Sequence, residues 1–200
     1  MTVAKHPARH TIAEWLLQPE ERRLEFIDGE FTEKAAPDER HSDAQSEVIS
    51  ELRTSFNRRG GGGHPGGWWI RGELDIALAS NGYRPDVAGW RRDRVPVMPK
   101  ERPITIRPDW ICEVISQSNA TTDTVKKLRR YHQAGIPHYW LVDPATQTLA
   151  VYRHHAEGYL NVLVAEKGDT VRAEPFQAIE LRIGLLFGED PDDPPGASST

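Results

Sequence analysis

The chain has 200 residues, of which 38% are hydrophobic, and a formal net charge of -5 at pH 7. This length and apolar content suffice for one sizeable core, so we expect a single domain over residues 1–188. The proline-rich, polar end over residues 189–200 is typical of a disordered tail. The acidic balance excludes a general attraction to nucleic acid, so binding of nucleic acid would require a local basic patch.

Cysteine content and hydropathy narrow the class of protein further. Cys112 is the only cysteine, which excludes a disulfide framework and a cysteine-based metal site. No run of about eighteen apolar residues occurs, and the first ten residues lack the apolar core of a signal peptide. We therefore expect a cytoplasmic protein with no membrane partner.

The N-terminal part is predicted to contain a short helix, a hairpin and a long helix. The short helix covers residues 11–17, and Asp28-Gly29 is a strong hairpin turn between two short strands. Apolar residues repeat with helical spacing over residues 39–56 and predict the long helix. The glycine-rich stretch 60–67 that follows is typical of a flexible loop.

A second hairpin is predicted after this loop. Residues 68–78 alternate in polarity, and Asn81-Gly82 supplies a two-residue turn into a strand over residues 83–90. In that register Ala77 faces Asp86 and Asp75 faces Ala88. Both acids then lie on one face of the sheet, beside small side chains that leave room for an ion.

The C-terminal half is predicted to alternate strand and helix. An arginine- and proline-rich loop over residues 91–107 precedes a buried strand at 110–115. A helix over 123–134, a strand over 138–143 and a hairpin partner over 149–152 follow. This order predicts an α/β fold.

Glu113 is the one charge in the apolar run of the buried strand, and Asp86 has a similar apolar setting. An unpaired buried carboxylate costs several kcal/mol, so each acid requires a metal ion, a cation or strong hydrogen-bond donors. Two acids on adjacent strands can hold Mg²⁺, which activates water and polarises a phosphodiester. The alternative is that each acid pairs with an arginine, such as Arg84 or Arg107.

The predicted helix that follows Glu113 carries two adjacent lysines. Lys127 falls at the edge of the buried stripe of this helix, whereas Lys126 points away from the stripe. Lys127 can therefore turn toward the sheet. A lysine on a helix is more often a solvated surface charge, which is the alternative for both.

Several motifs in this order resemble the PD-(D/E)XK nuclease superfamily and, within it, a restriction-endonuclease-like bacterial family. The resemblance covers residues 11–187. It is carried by Pro85-Asp86, by Pro108-Asp109-Trp110-Ile111-Cys112-Glu113-Val114-Ile115-Ser116, by Asp123 and Lys127, by Leu24-Glu25-Phe26-Ile27-Asp28-Gly29-Glu30 and by the segment from Tyr131 to Pro144.

The resemblance implies a restriction-endonuclease-like core with a mixed central β-sheet flanked by helices, an N-terminal hairpin and C-terminal β-hairpins. It implies Mg²⁺, with Mn²⁺ as a substitute, held by Asp86, Glu113 and the backbone carbonyl of Val114, and DNA as substrate. The usual lysine lies two residues after the acid, where this chain has Ile115. In some families of the superfamily this lysine lies on the following helix instead, and Lys127 matches that position.

Three further residues are accessory candidates. Glu25 and His41 match an acidic and a histidine position of the family, and Asp75 follows from the predicted hairpin register. His41 lies on the stripe of Val48 and should point inward. The alternatives are a hairpin salt bridge for Glu25 and a hydrogen-bonded core residue for His41.

Positive side chains near the predicted site could hold a phosphate backbone without reading sequence. Many of them would be solvated surface residues on the alternative interpretation. The predicted DNA-binding residues are Arg91, Arg92, Arg94, Lys126 and Arg130.

These features predict a metal-dependent endonuclease-like phosphodiesterase that hydrolyses DNA, with Asp86, Glu113 and Lys127 as catalytic residues. A catalytically inactive nuclease fold that binds DNA or protein is the first alternative. A Mg²⁺-dependent phosphatase or nucleotide hydrolase with the same acids is the second. Exposed strand edges and long hairpins are compatible with a homodimer.

Overall fold

The computed structural model describes residues 10–34, 36–116 and 120–194, and side chains outside 117–124. Short 3-10 helices lie at Glu20–Arg22 and Ile183–Phe187. The α-helices are α1 (Ile12–Leu16), α2 (Glu39–Phe56) and α3 (Ala120–Gln133). The strands are β1 (Leu24–Ile27), β2 (Glu30–Glu33), β3 (Trp68–Gly72), β4 (Ile76–Leu78), β5 (Asn81–Tyr83), β6 (Val87–Arg91), β7 (Trp110–Val114), β8 (His138–Asp143), β9 (Thr148–His155), β10 (Gly158–Glu166), β11 (Thr170–Val171) and β12 (Leu181–Arg182).

A six-stranded mixed sheet forms the centre of the fold. Its strand order is β10-β9-β8-β7-β6-β3, in which β7 and β8 are parallel and the other neighbours antiparallel. Alternate residues of β7 enter different cores: Trp110 packs with Val48 of α2, and Ile111 packs with Tyr131 of α3. This mixed sheet with helices confirms the predicted α/β class.

The predicted N-terminal hairpin is confirmed and belongs to a second sheet, of order β2-β1-β5-β4. Asp28 and Gly29 have φ angles of 51° and 85°, and positive values at both central positions are what a type I′ turn requires. The hairpin joins β5 through the pairing of Phe26 with Gly82. The indole of Trp15 packs where a side chain at position 82 would stand.

The predicted register of the second hairpin is wrong. The chain leaves the central sheet after β3, at Glu73 with φ 50°, and β4 enters the other sheet, so residues 68–78 are not one strand. Arg71, rather than Asp75, faces Ala88. β3 and β4 each have one buried face, so the alternation of polarity continues across the break. The sequence pattern therefore does not indicate that two strands are present.

The turn of that hairpin also differs from the prediction. Leu78 pairs with Asn81, so Ala79 and Ser80 form the two-residue turn, and Ala77 faces Gly82 rather than Asp86. Gly82 is therefore required for the close approach of Trp15 and not for the turn.

The C-terminal elements largely follow the prediction. β8 has the predicted bounds, whereas β9 is longer, and α3 begins at residue 120 instead of 123. Residues 117–119 of the predicted connector lie outside the described residues.

The start of the predicted tail packs against the domain. Glu189 is buried and forms an ion pair with Arg182, with Oε2 3.0 Å from Nη2. Residues 195–200 lie outside the described residues, and the division into one domain and a disordered tail stays a prediction. No helix in the described part of the chain is both long and apolar enough to cross a bilayer.

Candidate active site

Asp86 and Glu113 meet at one end of the central sheet. Asp86 immediately precedes β6 and Glu113 lies near the end of β7. The two strands are antiparallel, with Val87 opposite Cys112, so these ends coincide. Both acids are buried, with 1% and 4% of their surface exposed. Carboxylates buried to this extent require partners for their charge.

Three groups hold the carboxylate of Asp86. Lys34 donates to Oδ1 at 2.7 Å, while Oδ2 accepts from the backbone N–H of Val114 at 2.8 Å and lies 3.2 Å from Nε2 of His41. Burial acts to raise the pKa of Asp86, but the Lys34 ammonium and the hydrogen bond to His41 outweigh it. The pKa of Asp86 therefore lies well below its usual range, and the side chain is ionised.

Glu113 is held by α3. Lys127 donates to Oε2 at 2.9 Å, and the hydroxyl of Tyr131 donates to Oε1 at 2.6 Å. Burial raises the pKa of Glu113 from 4.5 to about 6, with repulsion from Asp86 acting in the same direction and attraction by Lys127 and Lys34 opposing both. The neighbouring acids thus have pKa values on opposite sides of the ordinary carboxyl range, a pattern common at functional sites.

The predicted orientation of the α3 lysines agrees with the structure. Lys127 is buried and faces β7, whereas Lys126 is exposed. Lys127 and Tyr131 are four residues apart, which places both on the same face of a helix above Glu113. The amine and the hydroxyl approach the two carboxylate oxygens from this one helix.

The structure brings two of the three accessory candidates to the site. His41 points inward as expected and contacts Asp86. Glu25 is buried and accepts the backbone N–H of Arg84 at 3.1 Å, and its charge contributes to the raised pKa of Glu113. Among the described residues, Glu25 forms no salt bridge within the hairpin, which was the alternative interpretation.

Asp75 does not join Asp86 and Glu113. It is buried between Arg84, whose Nε lies 2.7 Å from Oδ1, and Arg102, whose Nε bonds Oδ2. The register prediction placed Asp75 beside Asp86, and the break at Glu73 moves it to the other sheet. Pairing with arginine was the alternative for Asp86 and Glu113, but the structure shows it at Asp75 instead.

Three of the predicted DNA-binding arginines lie away from these acids. Arg91 ends β6, the strand that Asp86 precedes, so about 16 Å of extended chain separates them. Arg92 stacks 3.3 Å from the ring centroid of Trp69, and Arg94 pairs with Asp109. The expectation that these side chains lie near the acids is wrong because β6 carries them toward the opposite end of the sheet, whereas their contact with DNA stays a prediction.

The other two predicted DNA-binding residues lie on α3 with Lys127. Lys126 is exposed, and Arg130 is half-buried with Nη2 3.5 Å from Oδ2 of Asp28. Contact of Lys126 and Arg130 with DNA stays a prediction.

Sequence reasoning missed two site residues, Lys34 and Tyr131. Tyr131 had a signal, because its spacing of four from Lys127 places it on the same helix face. Lys34 follows β2, whose residues are mostly exposed, and no pattern marks it as inward. Only the requirement of the buried acids for counter-charges pointed to a second cation.

The donors at the site suit a hard divalent cation. Asp86 and Glu113 present carboxylate oxygens to a common space, as their contacts with one Lys34 ammonium indicate. Among the described residues no group of three or more His, Cys, Asp and Glu side chains could hold an ion. Mg²⁺ commonly uses one or two carboxylates and keeps several waters, so this small donor set fits it.

Family comparison identifies the protein class. Residues 10–184 match the model of the family described as "Uma2: Putative restriction endonuclease". The chain belongs to the Uma2 family. Asp86, Glu113 and Lys127 all lie in the matched range. No curated protein matches the chain at a significant level.

A solved structure resembles this Uma2 protein over most of its length. It is described as a "putative nuclease belonging to DUF820" from Anabaena variabilis ATCC 29413. The two chains are 28% identical and superpose with a TM-score of 0.71, over 88% of this chain and 97% of the other. This Uma2 protein therefore has a nuclease-type fold, as the sequence resemblance implied.

Proposed function

We propose that this Uma2 protein is a divalent-metal-dependent endonuclease that hydrolyses DNA phosphodiester bonds. The observation that carries the proposal is the meeting of the Asp86 and Glu113 carboxylates and the Lys127 amine in one buried cluster. Membership of a family described as "Putative restriction endonuclease" and similarity to a "putative nuclease" support the reaction class.

Each side chain would have a distinct task. Asp86 and Glu113, with the Val114 carbonyl, would hold Mg²⁺ or Mn²⁺, which supplies Lewis-acid polarisation of the phosphodiester and lowers the pKa of water. The ammonium of Lys127 would orient the attacking water and stabilise the negative charge that develops on the phosphate oxygens.

Neighbouring groups would keep these side chains in place. The Val114 N–H and His41 restrain Asp86, and the Tyr131 hydroxyl restrains Glu113. Groups of this kind orient metal-binding carboxylates and increase their affinity for the ion. Exposed Lys126 and half-buried Arg130 on α3 would hold the DNA backbone without reading sequence.

Nicking of supercoiled plasmid tests the proposal. The wild type, Asp86→Asn and Lys127→Gln are compared in Mg²⁺ or Mn²⁺, with Lys100→Gln as a control because Lys100 is an exposed loop residue. We expect a loss of at least about 100-fold in both site variants and none in the control, with EDTA abolishing activity. Equal rates in all four proteins, or none in any, would refute the proposal. Small phosphate esters, assayed in parallel, separate nuclease from phosphatase activity.

One observation favours a second candidate, an inactive nuclease fold that binds DNA. Each carboxylate oxygen of Asp86 and Glu113 already has a partner within the protein, so the cluster is satisfied without an ion. This candidate predicts retarded migration of DNA with the wild type but no cleavage in Mg²⁺ or Mn²⁺. A homodimer and a cytoplasmic location stay predictions.

A further inference from the structure

Lys34 lies between the two acids of the proposed metal site. Its Nζ donates to Oδ1 of Asp86 at 2.7 Å and to the backbone carbonyl of Arg84 at 2.8 Å, and it lies 3.8 Å from Oε2 of Glu113. Only 11% of the Lys34 side chain is exposed. One largely shielded ammonium therefore contacts both carboxylates, that of Asp86 just before β6 and that of Glu113 in β7.

The Lys34 ammonium lies at a position that both acids share, while other groups bind the remaining carboxylate oxygens. Oδ2 of Asp86 is bound by the Val114 N–H and His41, and Oε1 of Glu113 by Tyr131. Oδ1 of Asp86 accepts from the Lys34 ammonium at 2.7 Å, and Oε2 of Glu113, which accepts from Lys127 at 2.9 Å, also lies 3.8 Å from the Lys34 ammonium. An ion held by both acids would occupy the space of the Lys34 ammonium, since an oxygen of each acid lies within 3.8 Å of that ammonium.

We infer that Lys34, beside Lys127, is a counter-cation of the Asp86 and Glu113 pair and that it competes with the divalent ion for Oδ1 of Asp86 and Oε2 of Glu113. This inference rests on the proposed function. The ammonium carries one charge and hydrogen-bonds at 2.7 Å, whereas Mg²⁺ carries two charges and binds oxygen at about 2.1 Å. The Lys34 ammonium would have to leave these oxygens for the acids to hold the ion, and part of the binding free energy would be used to break the Lys34 contacts.

The competition gives Lys34 two effects of opposite sign. Without metal it stabilises the fold, because it neutralises like charges that would otherwise repel inside a buried site. With metal it weakens binding, since the ion replaces an existing partner. Lys34 therefore sets the concentration of divalent ion at which the site fills.

Calorimetric titration with Mn²⁺, without DNA, measures the first consequence. Lys34→Met keeps the length of the side chain and removes its charge, and Lys100→Met is the matched control at an exposed lysine. We expect the Kd for Mn²⁺ to fall at least tenfold in Lys34→Met and to stay unchanged in Lys100→Met. The melting temperature of Lys34→Met should be lower than that of the wild type without metal and rise further on Mn²⁺ addition.

The wild type supplies a second measurement that does not depend on the variant folding. The ¹⁵N resonance of Lys34 Nζ and the ¹³C carboxyl resonance of Glu113 are followed by NMR during titration with diamagnetic Mg²⁺. We expect both to shift with the same midpoint, and the exchange of the Lys34 ammonium protons with water to become faster as the ammonium leaves the acids.

The outcomes separate this inference from the proposed function. A Kd that is equal or higher in Lys34→Met, or a Lys34 signal that does not move while Glu113 titrates, overturns the competition but leaves a metal-binding site. If neither variant nor wild type binds Mn²⁺ and neither resonance responds to Mg²⁺, the proposed metal site fails and the competition fails with it.

Discussion

The amine of Lys127 and the carboxylate of Glu113 form a buried ion pair between α3 and β7, with Nζ 2.9 Å from Oε2. The two side chains are 9% and 5% exposed. Because the pair is shielded from water, the attraction between its two charges is stronger than in a surface pair, and removal of one charge leaves the other without this counter-charge. The contact also fixes α3 over the end of the central sheet where Asp86 lies.

Removal of this lysine should destabilise the protein in the absence of metal. We expect Lys127→Met to lower the free energy of unfolding by about 3 kcal/mol, because Glu113 loses its closest counter-charge in a buried position. Lys126→Met, on the exposed side of the same helix, should change it by no more than about 0.5 kcal/mol. Urea unfolding at pH 7 measures both. Equal stability of the two variants would contradict the buried pair.

Tyr131 should act through Glu113. Tyr131→Phe removes the hydroxyl that donates to Oε1 at 2.6 Å and leaves the buried ring packing intact. We expect a loss of stability of about 1–3 kcal/mol and a rise of about 10-fold or more in the Kd for Mn²⁺.

Tyr83→Phe is the matched control, since Tyr83 packs against the Tyr131 ring and its hydroxyl contacts Asn81 rather than the acids. An unchanged Mn²⁺ affinity in Tyr131→Phe would show that the hydroxyl does not position Glu113. Calorimetry at fixed pH gives this comparison.

The affinity for Mn²⁺ should depend on pH through Glu113. Its pKa is raised to about 6, so the carboxyl keeps a proton up to that pH and an incoming ion must displace it. Affinity should therefore fall by about tenfold for each pH unit below 6 and level off above 6. Asp86, with its pKa far below the usual range, contributes nothing in this interval. Calorimetry between pH 5 and 7.5 tests this, and an affinity that is flat from pH 5 upward would be incompatible with it.

Asp75 should matter for stability and not for the metal. Its buried carboxylate is held by Arg84 and Arg102, and removal of one partner from such a network leaves charges without compensation. We expect Asp75→Ala to cost about 3–5 kcal/mol in unfolding free energy. The folded fraction, assayed at low temperature, should bind Mn²⁺ with the wild-type Kd. A tenfold weaker affinity would return Asp75 to the site.

The sequence by itself determined the local structure of the strands and helices near the site. Glu113 in an apolar run, Asp86 in a similar setting and Lys127 at the edge of a helical stripe are patterns of period two or 3.6, and burial follows such periods. The turn at Asp28-Gly29 could also be predicted from the sequence, because a positive φ at both central residues restricts the amino acids that fit. The placement of Asp86, Glu113 and Lys127 in one cluster agrees with these patterns.

Only the tertiary structure decided which residues meet across long sequence distances. Asp75 and Lys34 show this in opposite ways. A single left-handed residue at Glu73 diverts Asp75 to another sheet, whereas Lys34, which follows the mostly exposed strand β2, contacts Asp86 52 positions further along the chain. Strand order and the pairing of buried charges depend on how whole sheets pack. Local periodicity contains no information about that packing, so Lys34, the second cation of the site, could be assigned only from the folded structure.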